Sequence, residues 1–134
     1  MTLLQKFYEY TEKAGFNKTD IYEEKDNEYT LLSFYESGEK DDIYNVALVF
    51  YDNQNAEVYI RTSIQNYDIL TTLSKINELN SQYCGVTFLL ADNMIVIKSY
   101  CKAEGNLESL LKEMVQDMKL AKKEFKEFNK KGAE

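Results

Sequence analysis

The sequence predicts an α+β domain: a mostly antiparallel sheet of about five strands flanked by three helices. Three observations lead there. Residues 44–128 read in the order hairpin, helix, hairpin, long helix. Both hairpins are rich in β-branched and aromatic residues at period two around a short polar turn. The last stretch repeats apolar residues at spacings of four and three, which is one continuous helical seam.

In chain order, Leu3, Leu4, Phe7, Tyr8 and Thr11 recur at helical spacing, and Gly15 suits the position just past a helix end. This predicts an N-terminal helix within residues 1–15, from about Thr2 to Ala14. Strands are expected over 19–63. The first two candidates are Thr19–Glu24 and Tyr29–Glu36, joined across Lys25-Asp26-Asn27, and the acidic run Glu36–Asp42 with Gly38 reads as an exposed loop. In Tyr44–Asp52, Val46, Leu48 and Phe50 share one face, while Ala47, Val49 and Tyr51 share the other. Ala56–Ser63 alternates likewise, and Asp-Asn-Gln-Asn between the two makes the reversal. Asp68 caps a middle helix over 67–83, whose apolar face is Ile69, Leu70, Leu73, Ile76 and Leu79. A second hairpin within 85–101 turns at Asp92-Asn93. The C-terminal helix, over 106–129, carries the seam Leu107, Leu111, Met114, Met118, Ala121, Phe125 and Phe128, widened by Leu110 and Val115.

Composition limits what such a domain does. The chain has 134 residues, enough for one domain and one core without disulfides or metal. No run of eighteen apolar residues is present, so membrane insertion is not expected. Two cysteines and no export signal at the start point to a reducing cytoplasm. A net charge of −7 argues against nucleic acid as a partner, because phosphate backbones demand a basic surface. The charge is uneven: residues 9–42 hold eleven acidic and four basic side chains, whereas Lys112 to Lys131 holds seven lysines against four acids. Histidine, tryptophan and proline are absent. Without histidine the usual general base near neutral pH and the commonest transition-metal ligand are both missing.

Around the middle helix the sequence takes on a family likeness. Ile76-Asn77-Glu78-Leu79-Asn80 precedes Gly85-Val86-Thr87-Phe88, the Asp92-Asn93 turn and an apolar strand; upstream, Asn45-Val46-Ala47-Leu48-Val49-Phe50-Tyr51-Asp52 opens the first hairpin. This resembles the YbjN-like family of small bacterial proteins, whose fold is similar to that of type III secretion chaperones: helix, three strands, helix, two strands, helix. The likeness covers residues 43–128 and is less specific for the first helix. The resemblance implies no agreed catalytic activity. Secretion-chaperone relatives are acidic, usually dimeric, and bind protein segments. The extended stretch near Thr19–Glu24 departs from that pattern and leaves the strand number open.

No catalytic residue, metal ligand set or cofactor motif stands out, so the reading is non-enzymatic. Asp52-Asn53-Gln54-Asn55-Ala56-Glu57 fails as a calcium loop, since the sixth and twelfth positions need glycine and glutamate and are Glu57 and Ser63. If Asp92-Asn93 is a two-residue turn, counting outward sets Cys84 opposite Cys101 as a candidate redox pair; the alternative is two reduced thiols at a strand end. Both hairpins are apolar on both faces. The face carrying Val49, Tyr51, Tyr59, Arg61, Leu89, Val96 and Tyr100 is a candidate partner-binding surface, unless the first helix or the acidic segment covers it. Phe125 and Phe128 are candidates for dimerisation if the long helix outruns the sheet. The expected function is therefore protein binding, as a chaperone-like adaptor or a self-associating regulator, with a protein partner or a homodimer. The alternatives are a small-ligand-binding regulatory domain and an acidic nucleic-acid mimic that inhibits a basic protein.

Overall fold

A computed structural model describes residues 1–37, 43–64, 68–103 and 106–128, apart from the side chain of residue 127. The elements are α1 (Leu3–Lys13), a short 3-10 turn (Lys18–Asp20), β1 (Tyr22–Lys25), β2 (Tyr29–Ser37), β3 (Ile43–Tyr51), β4 (Ala56–Ser63), α2 (Ile69–Gln82), β5 (Val86–Ala91), β6 (Met94–Cys101) and α3 (Leu107–Phe128). The class is α+β, with six strands rather than about five, in the order β1-β2-β3-β4-β6-β5 and antiparallel throughout. The added strand is β1, four residues long and exposed along its length. Thr19 and Asp20 belong to the 3-10 turn, which Asn17 caps by accepting the Thr19 N–H.

Local chemistry sets the boundaries. Thr2 and Gln5 form a reciprocal capping box at the start of α1, and Gly15 ends it at a φ of +84°, a conformation that costs a residue without a Cβ little. Asp92 and Asn93 both adopt positive φ, 49° and 62°, as the two-residue turn between β5 and β6 requires. The β3–β4 connection does more than reverse the chain. Gln54, itself at a φ of 70°, accepts the Leu3 N–H that opens α1, while Asn55 accepts the Ala103 N–H that leads into α3. One loop thus ties both flanking helices to the sheet. Tyr67 and most of the acidic loop expected over Glu36–Asp42 lie outside the described residues; Glu36 and Ser37 continue β2.

Register decides which side becomes the core. Phe34, Val46, Ile60, Ile97 and Phe88 stand opposite one another across five strands, and the row Leu32, Leu48, Val58 runs beside it. Phe34 is nearly fully buried and the others completely or almost so. All three helices pack on this face. Phe7 of α1 meets the rings of Phe34 and Phe50, Phe125 of α3 meets Tyr44, and Tyr83 at the end of α2 meets Phe88. Burying each such side chain contributes about 1.5–3 kcal/mol.

The dimerisation expectation for Phe125 and Phe128 is corrected here. Phe125 is 2% exposed and Phe128 7%, so both belong to the core. The physical reason is the size of the sheet. Six strands about 4.8 Å apart and up to about 30 Å long give a helix of about 33 Å support along most of its length.

Candidate functional site

Among the described residues the opposite side of the sheet carries no helix. On it the register assembles Leu31, Val49, Glu57 and Tyr100 in one row, Tyr59 and Lys98 in the next, and Tyr35, Asn45, Arg61, Val96 and Leu89 in a third. Tyr51 extends β3 beyond the first row, opposite Tyr29. All seven residues expected to form the partner-binding surface therefore share this face. α1, one of the two segments that might have covered them, lies on the other side. Leu31, Val49, Leu89 and Val96 are half-buried, whereas Tyr22, Tyr35, Ile43 and Tyr100 are exposed at 62%, 73%, 62% and 56%. An antiparallel sheet that turns one face to water ordinarily places polar side chains there. This one carries two aliphatic pairs, Leu31 with Val49 and Val96 with Leu89, separated by Glu57, Tyr59 and Arg61 of β4 and interspersed with tyrosines.

The polar groups on the face are organised around Glu57. Tyr51 donates to one of its oxygens at 2.7 Å and Tyr59 donates to the other. These bonds, Tyr59 first, hold the Glu57 carboxyl below its ordinary range against the opposing effect of burial. In return the Tyr59 phenol is pushed up to about 12, chiefly by the same bond, so it stays a neutral donor. Tyr29 stands edge-on to Tyr51 at 6.3 Å, and Lys98 lies over the Tyr59 ring, 5.8 Å from its centroid. Asn55 donates to the Tyr100 hydroxyl at 2.7 Å. Asn45 is buried and donates to Ser33 Oγ and the Phe34 carbonyl, so the polar centre of the third row is satisfied. Arg61, the sole arginine of the sequence, is exposed and makes no hydrogen bond or ion pair among the described residues.

Glu57, Lys98 and Tyr29 were not among the residues singled out from sequence. Glu57 and Lys98 could have been found by carrying the β3–β4 alternation across to β6. Tyr29 was hidden because Leu31-Leu32 and Phe34-Tyr35 put bulky residues on both faces of β2 and blur its period.

The cysteines are not arranged as a pair. Ladder pairing of β5 with β6 ends at Val86 opposite Ser99, and Gly85 then takes a φ of +84°, so the count that set Cys84 opposite Cys101 is not continued. Both thiols are free; Cys84 is exposed and Cys101 buried. Burial first, and then the nearby Asp117 carboxylate, pushes the Cys101 thiol up to about 11, which keeps it protonated and unreactive. A shallow cleft of about 210 Å³ between α1 and α3 is lined by Lys6, Glu9, Tyr10, Lys13, Glu108 and Leu111. Its lysines are already engaged, Lys6 with Glu108 and Lys13 with Glu9. Among the described residues no group of three or more cysteine, aspartate or glutamate side chains could hold a metal ion, and no helix is long and apolar enough to cross a membrane.

No model of a known protein family matches the chain, and neither does any curated protein or solved structure. The open sheet face is therefore argued from its own chemistry.

Proposed function

We propose that the protein is a non-enzymatic binding module whose helix-free sheet face docks a protein, either as a chaperone-like adaptor or through self-association. The observation that carries this reading is the composition of that face. Half-buried Leu31 beside Val49 and half-buried Val96 beside Leu89 form two aliphatic pairs on either side of Glu57, Tyr59 and Arg61 of β4, with exposed Tyr22, Tyr35 and Tyr100 on the same face. Exposed apolar groups interspersed with tyrosine and a lone arginine are the residue types enriched at docking surfaces. Tyrosine suits such a surface because its ring supplies contact area while its hydroxyl keeps a polar partner. The expected YbjN-like resemblance implies no agreed catalytic activity, and its secretion-chaperone relatives bind protein segments, which agrees with this reading.

The test compares wild type with Val96→Glu, after confirming by circular dichroism and thermal melting that the variant is folded. Both are sedimented over a range of concentrations and immobilised against lysate of the native host. We expect a retained protein, or a concentration-dependent dimer, that wild type shows and Val96→Glu loses. Identical sedimentation and identical capture by the two proteins would sink the docking assignment.

A further inference from the structure

Glu57 is a carboxylate whose direct hydrogen-bond partners are two phenols rather than a cation. The phenols of Tyr59 and Tyr51 do most to hold it ionised, and the Lys98 ammonium adds a smaller contribution through space. The ion pairs Lys6–Glu108 and Lys13–Glu9 lie away from this face. Lys98 comes nearest to serving as a counter-ion, yet it stands over the Tyr59 ring and touches Glu57 only through its field. Tyr100, opposite Glu57 across the β4–β6 ladder, and Tyr29, packed on Tyr51, complete the surroundings.

Such a charge is tolerable while water reaches it. A partner that covers the face removes the water, and a buried charge left unpaired is expensive. A protein docking over this corner must therefore bring its own positive charge. The same surroundings attract one: aromatic faces draw cations electrostatically, and the Lys98 ammonium already rests on one of the four rings.

We propose that the tyrosine-set Glu57 receives a lysine or arginine side chain of the docked protein, so that the partner is a segment with a basic residue among apolar ones. This rests on the docking reading and narrows it. The carboxylate is the specificity element and the aliphatic pairs supply contact area. The two phenols fix both oxygens of Glu57 before any partner arrives, which lowers the ordering cost of forming the pair.

The probe is a set of four fluorescent, end-blocked dodecapeptides that share one leucine- and serine-containing frame and carry three lysines, three arginines, three glutamates or three glutamines. Binding to the full chain is read by anisotropy. We expect the two basic peptides to bind at least about tenfold tighter than the other two, and Glu57→Gln to remove that preference. Lys98→Met, which takes away the competing ammonium, should tighten the basic peptides, and it serves where Glu57→Gln does not fold. Binding that is independent of peptide charge, unchanged in Glu57→Gln and lost in Val96→Glu would overturn the cation site and leave the docking face standing. Basic peptides weakened or unaffected by Lys98→Met would also overturn it. No binding by any of the four would overturn both.

Discussion

Asp117 is the side chain least at ease in this fold. It is 9% exposed, and one of its carboxylate oxygens has no partner among the described residues. Burial raises its pKa; the Ser99 hydroxyl draws it back and Glu113 on the same helix pushes it further up, to about 6. In the unfolded chain the ordinary value is 3.8. Between those values the native state keeps a proton that the unfolded state releases, so stability falls as pH rises through the window and the loss is complete above it. The full shift corresponds to about 3 kcal/mol, and residual solvent at the site reduces this to on the order of 1–2 kcal/mol. Asp117→Asn keeps the shape and drops the charge. We expect it to gain on the order of 1–2 kcal/mol near pH 7 and nothing near pH 4, read as the difference between variant and wild type in urea unfolding. Equal stability of the two proteins near pH 7 would mean that water already satisfies the carboxylate.

The edge strand β5 shows how one polar side chain completes an element. Asn80 of α2 accepts the Phe88 N–H at 2.7 Å and donates to the Phe88 carbonyl at 2.9 Å. Its amide thus stands where a neighbouring strand would pair, on an edge whose open backbone groups would otherwise invite another chain. The other edge is guarded by brevity and charge, since β1 carries Glu23, Glu24 and Lys25. We expect Asn80→Ala to cost about 1–3 kcal/mol, because two buried-side backbone groups lose their partner. It should also introduce concentration-dependent association in sedimentation, whereas loss of stability without association would restrict Asn80 to a capping role. Elements with strong periodicity were legible from sequence: β3, β4, β6 and α3 begin and end within a residue or two of expectation. β1 was legible only in part. The extended stretch expected over Thr19–Glu24 overlaps it from Tyr22, but its charged residues carry no alternation to set its bounds, and Thr19 and Asp20 belong to the 3-10 turn. Asn80 reads in sequence as one more polar residue on a helix, and its role exists only because α2 lies along β5. Asp117 and Glu124 were likewise obscured by the seam around them. Both are buried among the apolar positions of α3, and Tyr83 donates to Glu124 at 3.2 Å.

At the scale of the whole molecule the sheet divides one task from another. Three helices and one face of the strands make the core, and no described helix covers the other face. The division of residues between faces was readable from period-two alternation; what covers each face was not, because that depends on where the helices return. The same limit misplaced Phe125 and Phe128, whose fate turned on the width of a sheet with one more strand than expected. Val96 and Ile97 put the division to a test, being neighbours on β6 that point to opposite sides. Ile97 is completely buried, between Ile60 and Phe88 in the ladder, while Val96 is half-buried between Arg61 and Leu89. A carboxylate at position 97 would sit unpaired in the core, so Ile97→Glu should lose about 4 kcal/mol or more and leave much of the chain unfolded. Val96→Glu exchanges one half-buried methyl cluster for a side chain that can turn into water, at about 1 kcal/mol or less. Chemical denaturation of the two variants reads the contrast directly. Comparable losses would mean that the second face is also packed in solution, and that it has no free surface to offer a partner.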